Sequence, residues 1–229
     1  GAAAADDFTF SKTQVFANDE VLSNAFVCAE ILSEKPFSIA AQHGWMPLSE
    51  AYRVTRSEGA TLYELNGQSA WAIYQQFASK HNLTISEGNE SGFLMQYILG
   101  IETSDQYKLR VPLALNADGS LLCAAEIPDG ATVFIMKSNK NDVSNSGRLA
   151  LKSAKQKSET DQFAGALACE CVSTRLQLGP AFIDTIRLTG SELRPTQILG
   201  LVSYGQLART TDEFSGLGCA SSLVCLIPK

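Results

Sequence analysis

FAGALACECVSTRLQLGPAFIDTIRLTGSELRPTQILGLVSYGQL, residues 163–207, decides the fold class. Residues 163–172 form an apolar run of strand length. Residues 179–188 have helical spacing, with Pro180 in the first turn, where its missing N–H costs no hydrogen bond. Residues 198–207 read as a second buried strand. A strand, helix, strand order predicts helices packed on a sheet, and residues 221–227 are expected to close that sheet.

Working outward, residues 141–157 are polar and alanine-containing, with Val143, Leu149 and Leu151 among Lys and Arg, which suits a solvent-covered amphipathic helix. Residues 108–115, 120–126 and 132–137 are strand-like and are joined by NADG and IPDG, so an antiparallel meander is expected. Ser69 stands as an N-cap before AWAIYQQFASK, in which Trp71, Tyr74 and Phe77 share one helical face. Residues 52–56 and 61–65 suggest a hairpin, and Asn66-Gly67 supplies a tight turn. Residues 24–32 and 37–42 are short apolar runs expected to be neighbouring strands, with SEKP between them.

The 229 residues, 45% hydrophobic, are ample for a core, and no run of about 18 or more apolar residues could span a bilayer. No secretory signal is evident at the start, so the expected location is cytoplasmic. A net charge of -6 disfavours nucleic acid and anionic lipid as partners. The six cysteines show no CxxC pair of the kind that holds zinc, and several lie inside apolar runs, where they act as small hydrophobes. No metal site is expected. Gly1 opens into AAAADDFTF, which reads as mid-domain and implies a preceding portion. Residues 1–31 and 200–227 also echo each other: glycine, small residues, a polar turn, Phe16 or Phe214, then FVC or LVC. The echo suggests two related lobes.

Several of these motifs, in order, resemble the FIST family, named for F-box and intracellular signal transduction proteins. GAAAADDFTF looks like the late portion of its N-terminal part. HGWMP with RVTRSEGATLYELNGQSAWAIYQQF looks like the junction, LNADGSLLCAAEIPDGATVFIMK like its central hairpins, CECVSTRLQLG like its cysteine and arginine segment, and ILGLVSYGQLA like its closing strand. The resemblance places the end of the N-terminal part at residues 1–48 and the C-terminal part at 49–229. With the element order, it implies a mixed α/β (α+β) fold of twisted mixed sheets covered by helices, layered αββα with two related lobes.

The resemblance also implies a sensory module rather than an enzyme. Such a module binds a small molecule, an amino acid in the usual proposal, and signals to a histidine kinase, a cyclic-dinucleotide enzyme, a chemotaxis receptor or an F-box-type partner. Haem and nitric oxide are linked to some members. The chain departs from the family where Gln206 replaces a common acidic residue and GCASSLV replaces a histidine-asparagine segment.

Among the residues that carry chemistry, His81 ends the Trp71 helix and is expected to cap it. His43 follows a strand and could face a cleft as a haem ligand, or could be packed in a linker. Arg175 stands where the chain turns after a strand. It could clamp a ligand carboxylate or pair with Glu170 or Asp184. Tyr204, Gly205 and Gln206 offer donor, close approach and acceptor to a ligand, or form a bulge. Asp6 and Asp7 could meet an ammonium group or shape a turn. Cys169 and Cys171, on one strand face, are a redox pair or core. No P-loop, GxGxxG, GxSxG, HExxH or kinase motif occurs, which favours binding over catalysis.

Overall fold

The computed structural model describes residues 1–104, 106–209 and 215–229. The chain divides into two units, Gly1–His43 with Lys140–Lys229, and Gly44–Asn139. The first unit opens with a small hairpin, β1 (Val15–Ala17) and β2 (Glu20–Leu22), followed later by β3 (Ser38–Gln42). The strand expected at 24–32 does not form: Phe26 and Leu32 are 84% and 88% exposed. Its strand-forming composition finds no neighbouring strand, and β propensity without a packing surface is weak.

The second unit holds β4 (Trp45–Pro47), β5 (Tyr52–Glu58), β6 (Thr61–Leu65), β7 (Gln68–Ser69), α1 (Ala70–Lys80), α2 (Glu90–Gln96), β8 (Ile98–Glu102), β9 (Tyr107–Arg110), β10 (Pro112–Leu115), β11 (Leu121–Cys123) and β12 (Thr132–Ser138). β5 and β6 form the expected hairpin. Asn66 and Gly67, at φ 50° and 74°, make the tight turn from β6 into β7. The NADG turn joins β10 to β11 as expected, but the meander stops there. β12 pairs instead with β4, β5 and β8. A turn motif dictates a reversal, not which strand the next run will join.

The helix α1 buries Ala70, Ile73, Tyr74, Phe77 and Ala78, while Trp71 is only half-buried. Steps of three residues fall short of a full turn, so Trp71 drifts to the edge of the stripe that Tyr74 and Phe77 centre. The Tyr74 hydroxyl, deep in this core, donates to the Tyr97 carbonyl at 2.8 Å. His81 is the C-cap residue, its backbone N–H bonded to the Phe77 carbonyl and its ring 4.7 Å from that of Phe77. The caps at the helix start differ from expectation: the Ser69 hydroxyl donates to the Gly119 carbonyl rather than capping α1.

The remaining elements return to the first unit. They are α3 (Lys140–Lys157), β13 (Phe163–Cys171), α4 (Val172–Leu178), α5 (Ala181–Ser191), β14 (Ile198–Ser203), β15 (Gln206–Arg209), β16 (Ser215–Gly218) and β17 (Ser222–Pro228). The main sheet runs β14-β13-β17-β3, with β13 and β14 parallel and the other pairs antiparallel. Parallel neighbours need a crossover, which α4 and α5 provide. On one face Ala150, Leu151 and Ala154 of α3 pack with Ala40, Ala166, Val224 and Leu226.

Four expectations are corrected here. β17 lies inside the sheet, between β13 and β3, rather than closing it. The run 198–207 breaks at Tyr204-Gly205, and β15 leaves to pair with β16. β14 is an edge strand with Leu199 67% and Leu201 48% exposed, so it is not buried. The echoing stretches do not form separate lobes. Both belong to one unit, and their starts lie side by side: Ala3 N–H donates to the Gly205 carbonyl at 2.8 Å, and Tyr204 N–H to the Ala3 carbonyl at 3.2 Å. Phe214, one anchor of the echo, lies outside the described residues.

Candidate functional site

The break after β14 places Tyr204 beside the loop that starts at Asp6. The Asp6 carboxylate accepts backbone N–H bonds from Thr9, Phe10, Ser11 and Lys12 at 2.9–3.2 Å, and the Thr9 hydroxyl at 2.8 Å. The Tyr204 hydroxyl donates to the same carboxylate. This donation, with the loop donors behind it, holds the Asp6 carboxyl well below the usual carboxylate range. Desolvation, then the contact with Asp6, pushes the Tyr204 hydroxyl up. Asp6 therefore shapes the loop from inside.

The loop so held presents two aromatic rings. Phe8 and Phe10 have φ of 66° and 51°, a left-handed conformation that non-glycine residues rarely adopt. Phe10 stacks on Tyr204 with centroids 4.4 Å apart, and the Phe8 N–H reaches the Tyr204 hydroxyl at 3.1 Å. The Arg175 guanidinium, on α4, stands 5.9 Å from the centre of the Phe8 ring. Arg175 makes no ion pair among the described residues. Asp184 pairs with Arg187, and Glu170 bonds Ser222. Asp7, next to Phe8, is exposed.

Gly205 and Gln206 hold the strand end. A Cβ on Gly205 would meet Leu217 Cδ1 at 2.7 Å and the Gly218 carbonyl at 3.1 Å, so a side chain here would push Leu217 aside and crowd the Gly218 carbonyl. Gln206 is 2% exposed. Its Nε2 donates to the Ser203 hydroxyl at 3.1 Å, and its Oε1 accepts from the Ser221 hydroxyl at 2.9 Å, tying the end of β14 to the residue just before β17. The loop and strand end thus bring together Asp6, Asp7, Tyr204 and Arg175, with Gly205 and Gln206 beneath.

His43 stands apart, just after β3, and is already engaged within the fold. It lines neither the 270 Å³ cavity beside Glu170 nor the 530 Å³ groove around Lys155 and Phe163. Neither space brings an apolar slot to the His43 imidazole, which haem ligation would need. Among the described residues no three His, Cys, Asp or Glu side chains gather as a metal site. Cys123, Cys169, Cys171 and Cys219 are buried, whereas Cys28 is exposed. Burial pushes the Cys169 and Cys225 thiols up.

Sequence reasoning passed over Phe8 and Phe10, which the FTF motif carries in plain view beside Asp6 and Asp7. It also passed over Glu170 as a site in its own right. A lone carboxylate in the apolar run FAGALACECV was the available signal, because an ionisable group in a buried strand needs a reason to be there.

Comparison with known proteins places the chain. The FIST N domain pattern matches residues 1–68, and the FIST C domain pattern residues 70–209. An uncharacterized protein of Methanocaldococcus jannaschii is 32% identical over 81 residues, which are 35% of this chain and 16% of that relative. The chain thus aligns with only a small part of that relative. No solved structure matches.

Proposed function

We propose, because this chain belongs to the FIST family, whose domains are sensory modules of signal transduction, that it senses an amino acid at the aromatic loop beside Arg175. The observation that supports this most is Arg175 itself, a guanidinium with no ion pair among the described residues, held over an exposed ring. A guanidinium takes a carboxylate through two parallel hydrogen bonds. Asp7 is the natural partner for the ligand's ammonium group, and the Phe8 and Phe10 rings offer an apolar surface to its side chain. Tyr204, Gly205 and Gln206 keep the strand end in place beneath them.

The output is a population shift. Phe8 and Phe10 are held in uncommon backbone conformations by Asp6 and Tyr204, so a ligand favouring one arrangement of the loop biases its equilibrium. The receiver of that shift is a signalling domain or protein in the cytoplasm, of the histidine kinase, cyclic-dinucleotide, chemotaxis or F-box type.

A thermal-shift screen of amino acids tests the reading. A true ligand at about 100 times its Kd adds roughly 2.7 kcal/mol to stability. The shift is expected to need both charged ends, so the matching amine and the matching acid each give less. A panel with no shift contradicts the proposal.

A further inference from the structure

Away from the aromatic loop, the helical face of the main sheet holds a cavity of about 270 Å³. Its lining includes Ala168 and Glu170 of β13, Phe182, Ile186 and Thr189 of α5, and Val202 of β14. All but two of these six are apolar. Glu170 is 5% exposed, and one of its oxygens, Oε2, accepts from the Ser222 hydroxyl at 2.6 Å. Ser222 shares a second hydrogen bond, at 2.7 Å, with Ser146 of α3. The other oxygen, Oε1, has no hydrogen bond among the described residues.

That second oxygen lies against the bare backbone of Gly147 on α3. A Cβ built on Gly147 of α3 would lie 3.1 Å from Glu170 Oε1 and 3.1 Å from Thr189 Oγ1. The two oxygens therefore lie close together against a glycine that leaves no room for a side chain, and both residues line the cavity. The Thr189 hydroxyl donates to the Thr185 carbonyl at 3.1 Å, which leaves its lone pairs for an incoming donor. No basic side chain among the described residues pairs with Glu170.

We propose that this cavity is a separate binding site that takes a small protonated aliphatic amine, its ammonium on Glu170 Oε1 and Thr189 Oγ1 and its hydrocarbon against the walls. Two neighbouring acceptors in the cavity wall, one of them a carboxylate, call for a cation that brings N–H donors. A buried carboxylate without a counter-charge is costly, and an ammonium at hydrogen-bond distance relieves that cost. The apolar walls select a hydrocarbon body, and a volume just under the usual ligand range of about 300–1,000 Å³ selects a small one. Burial pushes the Glu170 carboxyl up to about 7, against the Ser222 bond, so the ionised form an ammonium requires is available at slightly alkaline pH. A single carboxylate without further acidic or histidine neighbours is poorly suited to a metal ion. This site does not depend on the amino-acid reading.

The test titrates isoamylamine, with isoamyl alcohol as its neutral counterpart, into the full chain at about pH 8, where the amine is still protonated. Saturable binding of the amine is expected, with the alcohol and the Glu170→Gln variant at least about tenfold weaker, as for loss of a charged hydrogen-bond partner. Thr189→Val keeps the side-chain volume and is expected to lose several-fold, so it carries the test if Glu170→Gln does not fold. Arg175→Ala is expected to bind the amine unchanged, which separates this site from the aromatic loop. No saturable binding overturns the proposal. So does equal binding by the alcohol, undiminished affinity in Glu170→Gln or Thr189→Val, or a weakened response in Arg175→Ala.

Discussion

Asp6 and Glu170 lie in the same unit and are pushed in opposite directions by their surroundings. Asp6 sits among donors, so its charge is favoured. Glu170 sits among hydrocarbon and hydroxyls, so its charge is disfavoured. For Glu170 the folded value of about 7 exceeds the ordinary 4.5, so the folded chain binds the proton more tightly. Its contribution to stability is full below about pH 4.5 and is lost as pH rises through about 7. Glu170→Gln should therefore flatten the stability profile across that window and be more stable than the parent by on the order of 3 kcal/mol above it. Denaturant unfolding at several pH values checks this, and parallel profiles for the two proteins contradict it. For Asp6 the test is Tyr204→Phe, which keeps the stacking on Phe10 but removes the first donor to the carboxylate. The Asp6 carboxyl, followed by NMR titration, should then titrate higher. An unmoved titration would show that the backbone donors suffice.

At the scale of elements, periodicity and turn chemistry were good guides where a segment's own pattern decides. α1, α3, α5, β13 and the β5–β6 hairpin were legible for that reason. Pairing partners were not legible, because they depend on which surfaces meet. Residues 24–32 and β14 are equally apolar in sequence, yet one forms no strand and the other an exposed edge. The distinction is measurable in one sheet. Leu226 of β17 is 0% exposed, and Leu226→Ala should cost about 2–5 kcal/mol, whereas Leu199→Ala on the β14 edge should stay within about 0.5 kcal/mol. Chemical denaturation of the two variants decides it. A comparable loss at Leu199 would mean that the outer face of β14 is covered.

For the whole chain, the family and the fold class were readable from the order of short motifs and from the strand, helix, strand unit. The candidate site was half readable. Asp6, Asp7, Tyr204 and Arg175 were marked by charge and position, but nothing in the sequence says that residues 6 and 204 touch. Phe8 and Phe10 gain their place only once Asp6 has folded the loop around itself. Residues 1–31 and 200–227, read as an echo of two lobes, lie instead in one unit, where their first residues are hydrogen-bonded to each other. The central claim, that this FIST chain senses an amino acid through Arg175, is tested most directly by calorimetric titration of the amino acid giving the largest thermal shift into the parent chain and into Arg175→Ala. Loss of a bidentate carboxylate contact predicts affinity at least about tenfold lower in the variant. Equal affinity in the two proteins would contradict the account.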